Sequence, residues 1–214
     1  MKEAAGFFAE VRERLGRLIE ARPYRFTETR RSVAQRYLRT ALHFSGYAEG
    51  EIQEVERLAN GPLPAMYREF LAQMGIACGD LFCDCRLPVP GQARAFLATA
   101  KRILARSAGH LELPARSVVV YIREGCIFTT IQAQGGEDAV VRLFSEDEGS
   151  FVEAAGSFRA LVSERLEALE ERHRISTEAG GYFVTINERF GIRHRYPARN
   201  SGVRALDSAD EFIE

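Results

Sequence analysis

LPAMYREFLAQMGIACGDLFCDC, Leu63 to Cys85, decides how the rest of this chain is read. Its first half has the period of a helix. Pro64 suits a first helical turn, where a missing N–H costs nothing. Tyr67, Phe70, Leu71 and Met74 follow at i, i+3, i+4 and i+7, a single apolar stripe. Gly75 stands where a helix C-terminus favours positive φ. The second half brings three cysteines together as C-x4-C-x-C, with Leu81 to Cys85 expected to be short and extended. The question is whether these cysteines make a metal site, a redox site, or part of a core with no chemistry of its own.

Their spacing favours the core. A structural zinc site takes four ligands, commonly in pairs spaced Cys-x2-4-Cys. Cys78, Cys83 and Cys85 are close in sequence, and Cys126 lies on a distant strand. On a strand, Cys83 and Cys85 share a face, and Cys126 can reach them across a sheet. No pair has the usual knuckle spacing, no C-x-x-C is present, and free cysteine is a common small buried hydrophobe. The expectation is no metal and no cofactor, with a site of Cys78, Cys83, Cys85 and Cys126 as the lesser alternative.

Outward from this stretch the periods change in order. Phe8, Val11, Leu15, Leu18 and Ile19 mark a first helix, ended by Arg22-Pro23. Ser32 to Gln35 reads as a capping box, opening a second helix with Val33, Tyr37, Leu38, Ala41 and Leu42 inward. Ile52, Val55 and Ala59 mark a third. Phe96, Leu97, Ala100, Ile103 and Leu104 mark the helix that follows the cysteines. The period then shifts from 3.6 to 2. Val118–Ile122, Ile127–Gln132 and Ala139–Phe144 read as an antiparallel meander across Glu124-Gly125 and Gln134-Gly135-Gly136. Ser157 caps a last helix carrying Phe158, Leu161, Val162, Leu166 and Leu169. Tyr182–Ile186 and Ile192–Tyr196 are expected to pair as a hairpin, and residues 197–214 to form a tail.

Charge narrows the function classes. The chain of 214 residues holds 29 basic and 30 acidic groups, which argues against a general nucleic-acid binder. The balance is uneven: residues 1–45 carry net +5 and residues 46–170 net −6. Arg22, Arg25, Arg30, Arg31, Arg36 and Arg39 therefore support one alternative, a nucleic-acid or phosphate binder working through the N-terminal helices. Met1–Glu20 has acidic residues and no long apolar run, so neither a signal peptide nor a membrane anchor is expected there. A cytoplasmic protein with reduced cysteines is the expectation.

No enzyme comes into view. His43, His110, His173 and His194 sit in no catalytic pattern, and G-x-S-x-G, H-E-x-x-H and the phosphate-binding G-x-x-x-x-G-K-[ST] are absent. The places that suggest binding are acidic. Asp80 and Asp84 flank Leu81-Phe82, and Glu146, Asp147 and Glu148 sit in a loop before the last helix. Acidic loops on a rigid scaffold speed encounter with basic partners. Asp80, Phe82, Asp84, Glu146, Asp147 and Glu148 are the expected partner-binding residues.

The order of parts resembles a known family. Ile52-x2-Val55-Glu56-x6-Leu63-Pro64-x2-Tyr67-x2-Phe70-Leu71-x3-Gly75 is similar to the opening signature of the SUKH superfamily, the Smi/Knr-like domain. The helix, the valine-rich strands and the Ser157-Phe158 that open the last helix also fit, over about residues 46–170. The chain departs from the pattern in having Met74-Gly75 where many members have Asn-Gly, and in having no tryptophan. The resemblance implies an α+β domain with a mixed or antiparallel sheet, the three-stranded meander plus added strands, flanked by helices. It also implies a non-catalytic binding module, in bacteria an immunity protein that neutralises a toxin of a polymorphic toxin system. Residues 1–45 are then an N-terminal two-helix extension packing on the main domain, 46–170 the SUKH-like domain, and 171–214 a C-terminal hairpin and tail. Glu56, on an apolar face, is expected to accept hydrogen bonds from nearby backbone N–H groups.

Overall fold

The structure is a computed structural model that describes residues 2–21, 39–178, 184–187 and 192–194. The protein is α+β. In chain order it has α1 (Lys2–Ala21), β1 (Phe44–Ser45), α2 (Glu49–Ala59), α3 (Ala65–Met74), β2 (Ala77–Cys78) and α4 (Ala93–Ser107). These are followed by β3 (Ser117–Arg123), β4 (Ile127–Gln132), β5 (Val141–Ser145), β6 (Ser150–Ala155) and α5 (Phe158–Glu178). β7 (Val184–Asn187) and β8 (Ile192–His194) pair antiparallel, as the expected C-terminal hairpin requires. The expected second helix lies mostly outside the described residues, as does the tail; residues 39–41 are helical.

The central sheet is antiparallel in the order β3-β4-β5-β6. The meander expected from the sequence is its first three strands. The fourth, β6, pairs with β5 from Ser145↔Ser150 to Val141↔Ala155. Its sequence, SFVEAA, is half exposed and has no apolar alternation, so the stretch reads as a loop.

Both faces of the sheet are covered. On one, Phe96, Ala100, Ile103 and Leu104 of α4 pack with Val119, Ile122, Phe128 and Phe144. On the other, α1, α3 and α5 pack with Val118, Val120, Tyr121 and Ile131. A bulge sets this division. Val119 pairs with Thr130 and Tyr121 with Thr129, which leaves Val120 unopposed and sends two successive side chains to the α1/α3/α5 face.

Aromatic rings tie that core together. Tyr67 meets Phe158 edge to face at 5.0 Å, and Phe70 meets Phe158 at 5.3 Å, Phe8 at 5.8 Å and Phe82 at 5.9 Å. Phe70 and Phe158 are fully buried. Each such side chain contributes roughly 1.5–3 kcal/mol from burial alone. Helix α1 belongs to the same core through Phe8, Val11 and Leu15, and Arg14 clamps it to Glu170 of α5 with bonds of 2.8 and 2.6 Å.

The start of α3 is built by two loops. Pro64 sits one position earlier than expected, at the N-cap, and no side-chain cap is present. The free amides of Ala65 and Met66 instead donate to the carbonyls of Gly136 (3.0 Å) and Glu137 (2.9 Å), while Gly135 N–H donates to Pro62 (2.8 Å). Glu56 accepts from Leu63 N–H at 3.1 Å and faces Arg68 Nε at 3.5 Å, the backbone role expected of it. In the same loop Asp138 accepts from Phe158 N–H (2.9 Å) and Arg159 N–H (3.1 Å), and Ser157 Oγ accepts from Ala160 N–H (3.0 Å). Two caps therefore serve α5, of which the sequence announces only the serine.

Two expectations need correction. Gly75 has φ −66° and ψ −28°, so no left-handed turn ends α3. Glycine is needed there for space: a Cβ would lie 2.8 Å from Leu71 O and 2.9 Å from Tyr47 Cδ1. Leu81–Cys85 is not extended. The chain pairs β2 with β1 at Phe44↔Cys78 and then winds through successive turns, with Leu81 N–H on Cys78 O, Cys83 N–H on Asp80 O and Cys85 N–H on Phe82 O. Alternating polar and apolar residues there follow turns rather than a pleat.

Substitutions at two glycines and at the two caps of α5 test this arrangement. A Cβ on Gly46 would sit 1.8 Å from Ala72 O, so Gly46→Ala should lose at least ~2 kcal/mol in urea unfolding. Gly50, helical with nothing within 4 Å, should gain up to about 1 kcal/mol as Gly50→Ala. Asp138→Ala should cost about 1–2 kcal/mol, more than Ser157→Ala, because it unpairs two helix amides and Ser157 one.

Candidate functional site

The first acidic segment is drawn into the protein. Asp80 is 5% exposed, and Phe82, at 2%, lies between Phe70 and Tyr121, so neither offers a side chain to a partner. The turns that replace the expected strand roll Phe82 inward and leave only Asp84 at the surface.

Asp84 is engaged there. Arg165 Nη1 donates to both of its oxygens at 3.2 Å, Arg123 Nη1 stands 3.8 Å away, and the Cys85 thiol donates at 3.4 Å. Arg165 Nη2 reaches the Tyr121 hydroxyl at 3.4 Å, and its guanidinium lies over the Phe82 and Tyr121 rings at 5.8 and 5.6 Å. Burial by itself would raise the Asp84 carboxyl, but the charge and hydrogen bonds of Arg165 more than offset it and hold it below the usual carboxylate range. Burial, reinforced by the Asp84 charge, pushes the Cys85 thiol up, so it stays protonated and is a poor nucleophile at neutral pH. Arg165 and Arg123 were not singled out from sequence. Arg165 could have been: it falls four residues after Leu161 and four before Leu169, on the inward stripe of α5.

The second acidic segment is the β5–β6 turn. Glu146 accepts from Arg106 Nε at 2.7 Å, and Arg106 Nη2 also donates to Gly125 O at 3.2 Å. Asp147 and Glu148 are exposed and make no ion pair among the described residues. Beside them β6 is an edge of the sheet to which no further strand pairs among the described residues, carrying Glu153 and Val152, the latter 41% exposed; Val140, just before β5, is 44% exposed. The opposite edge is covered at one point, where Arg86 and Ile122 of β3 exchange backbone bonds of 2.8 and 3.0 Å.

The remaining expected residues are dispersed. Cys78 is buried, Cys83 and Cys85 lie in the turns, and Cys126 sits between β3 and β4. The strand face that would have joined Cys83 to Cys85 does not exist. Among the described residues no group of three or more His, Cys, Asp or Glu is placed to hold a metal ion. Arg22, Arg25, Arg30, Arg31 and Arg36 lie outside the described residues, and Arg39 is exposed. A pocket between α2, α4 and β3, lined by Tyr47, Tyr67 and Ser117 among apolar groups, has a free volume of about 30 Å³. That is room for water and far below the several hundred Å³ of an ordinary ligand site. No helix among the described residues is long and apolar enough to cross a membrane.

The Asp84 pair predicts a pH dependence. The folded carboxyl titrates below its unfolded value, so its contribution is present above that value and disappears as pH falls through the folded one. At pH 7 Asp84→Asn should cost about 1–2 kcal/mol, since it leaves the half-buried Arg165 without a counter-charge. The gap between variant and parent should close as urea titrations are taken below pH 4.

No protein-family model matches the chain, and no curated protein or solved structure matches it.

Proposed function

We propose that this chain is a non-catalytic protein-binding module of the SUKH type, a bacterial immunity protein that occludes a toxin of a polymorphic toxin system. The observation that carries the reading is the β5–β6 hairpin. Among the described residues no further strand pairs with its edge strand, Val140 and Val152 are exposed beside it, and Asp147 and Glu148 at its tip are exposed and make no ion pair. A strand edge with apolar contacts and a charged tip suits recognition of a protein surface, and its acidity suits a basic one. The SUKH resemblance is supported by Glu56, which accepts a hydrogen bond from Leu63 N–H, and by Tyr67, Phe70 and Leu71, which are buried. Steric occlusion needs neither a nucleophile nor a cofactor.

Co-expression with the toxin encoded beside this chain tests the reading. Growth should be rescued and the two proteins should copurify; a toxin that is neither bound nor neutralised overturns it. Asp147→Lys with Glu148→Lys should lower the association rate about tenfold at low ionic strength, with the difference shrinking as salt is added. The melting temperature of the free protein should not change.

A further inference from the structure

The two arginines at Asp84 are not equivalent. Arg165 is satisfied: it holds both Asp84 oxygens and the Tyr121 hydroxyl, and it is braced by two rings. Arg123 is not. Among the described residues the one polar contact of its side chain is the 3.8 Å approach of Nη1 to Asp84, too long for a hydrogen bond. Its Nε is sealed from solvent with no acceptor, and it makes no ion pair with the neighbouring Glu124. A third of its side chain is nevertheless exposed.

We infer that Arg123, beside Asp84 and Arg165, is the receiving group of a binding site for a single carboxylate. Two guanidiniums against one carboxylate leave the cluster with net +1. A monoanion completes an alternating row of charges, whereas a dianionic phosphate would place excess negative charge beside Asp84. A carboxylate is also flat, and its two oxygens match the Nε and Nη2 edge of a guanidinium, an edge that in Arg123 makes no hydrogen bond among the described residues. Little resists an outward turn of Arg123 toward such a ligand. The turn breaks no hydrogen bond, and it gives the stranded Nε–H the acceptor it lacks. Arg165 stays in place and keeps Asp84 neutralised. The inference does not depend on the protein-binding reading, since a free carboxylate would show it with no protein partner present.

Sodium acetate titrated into the 15N-labelled full chain, followed at the arginine Nε–H signals, tests it. The Arg123 signal should move and saturate with acetate, and respond less to phosphate or to chloride at matched ionic strength. Arg123→Lys, which keeps the charge and loses the fork, should weaken acetate binding about fivefold or more. A capped glutamate amide identifies the source: binding as tight as acetate places the carboxylate on a protein side chain, and exclusion of the amide while acetate binds places it on a free small acid. The site stands in either case. A shift that is linear in acetate and no larger than that in chloride overturns it, as does unchanged acetate affinity in Arg123→Lys.

Discussion

The loop from Gln134 to Asp138 sets the positions of two helices at once. A helix start leaves amides without partners, and inside a protein those amides must be satisfied. α3 follows a proline, whose apolar ring offers no acceptor, so the carbonyls of Gly136 and Glu137 take its first amides. One residue later Asp138 takes the first amides of α5. The rest of the core follows from this shared anchor. It puts Tyr67 and Phe70 against Phe158, and Phe70 then receives Phe8 from α1 and Phe82 from the turns. Two helical turns beyond Phe158, Arg165 comes down over Phe82 and Tyr121. The close approach of the loops also explains glycine at 61, where a Cβ would stand 2.2 Å from Ala133 O.

What could be read in the sequence was whatever repeats. α1, α3 and α4 show their stripes, the meander shows its alternation, and Glu56 stands out because a carboxylate interrupts an apolar face. β6 could not be read, because an edge strand exposed at half of its positions has no apolar pattern to show. The segment after Gly75 misled for a related reason. Phe82 is buried by turns that place it between Phe70 and Tyr121, and that placement depends on residues far along the chain. The candidate site divides in the same way. Asp147 and Glu148 are visible as a run of charge and remain exposed. Asp84 is equally visible, but its partner is 81 positions away, and no local rule links the two.

The fold also answers what the uneven charge is for, at least in α1. Arg14 is spent on Glu170, Arg17 on Glu13, and Arg159 of α5 returns the contact through Glu3 and the Phe7 ring. Arg14 and Glu3 thus hold the first helix on α5, while Arg17 stays exposed and pairs within its own helix. Half-exposed pairs of this kind stabilise modestly, but they select the face on which α1 docks.

The same accounting separates structural acids from available ones. Glu56, Asp84, Asp138, Glu146 and Glu170 each satisfy an amide or a guanidinium, so changing their charge disturbs the fold. Asp147, Glu148 and Glu153 have no such duty among the described residues, and they lie on one hairpin, at a sheet edge to which no further strand pairs among the described residues. Unpaired edge backbone invites pairing with other chains, and acidic side chains along it repel a second copy of the same edge while admitting a basic strand. In the proposed binding role, charge at this edge would set which chain is accepted, while the stability of the protein rests on other residues.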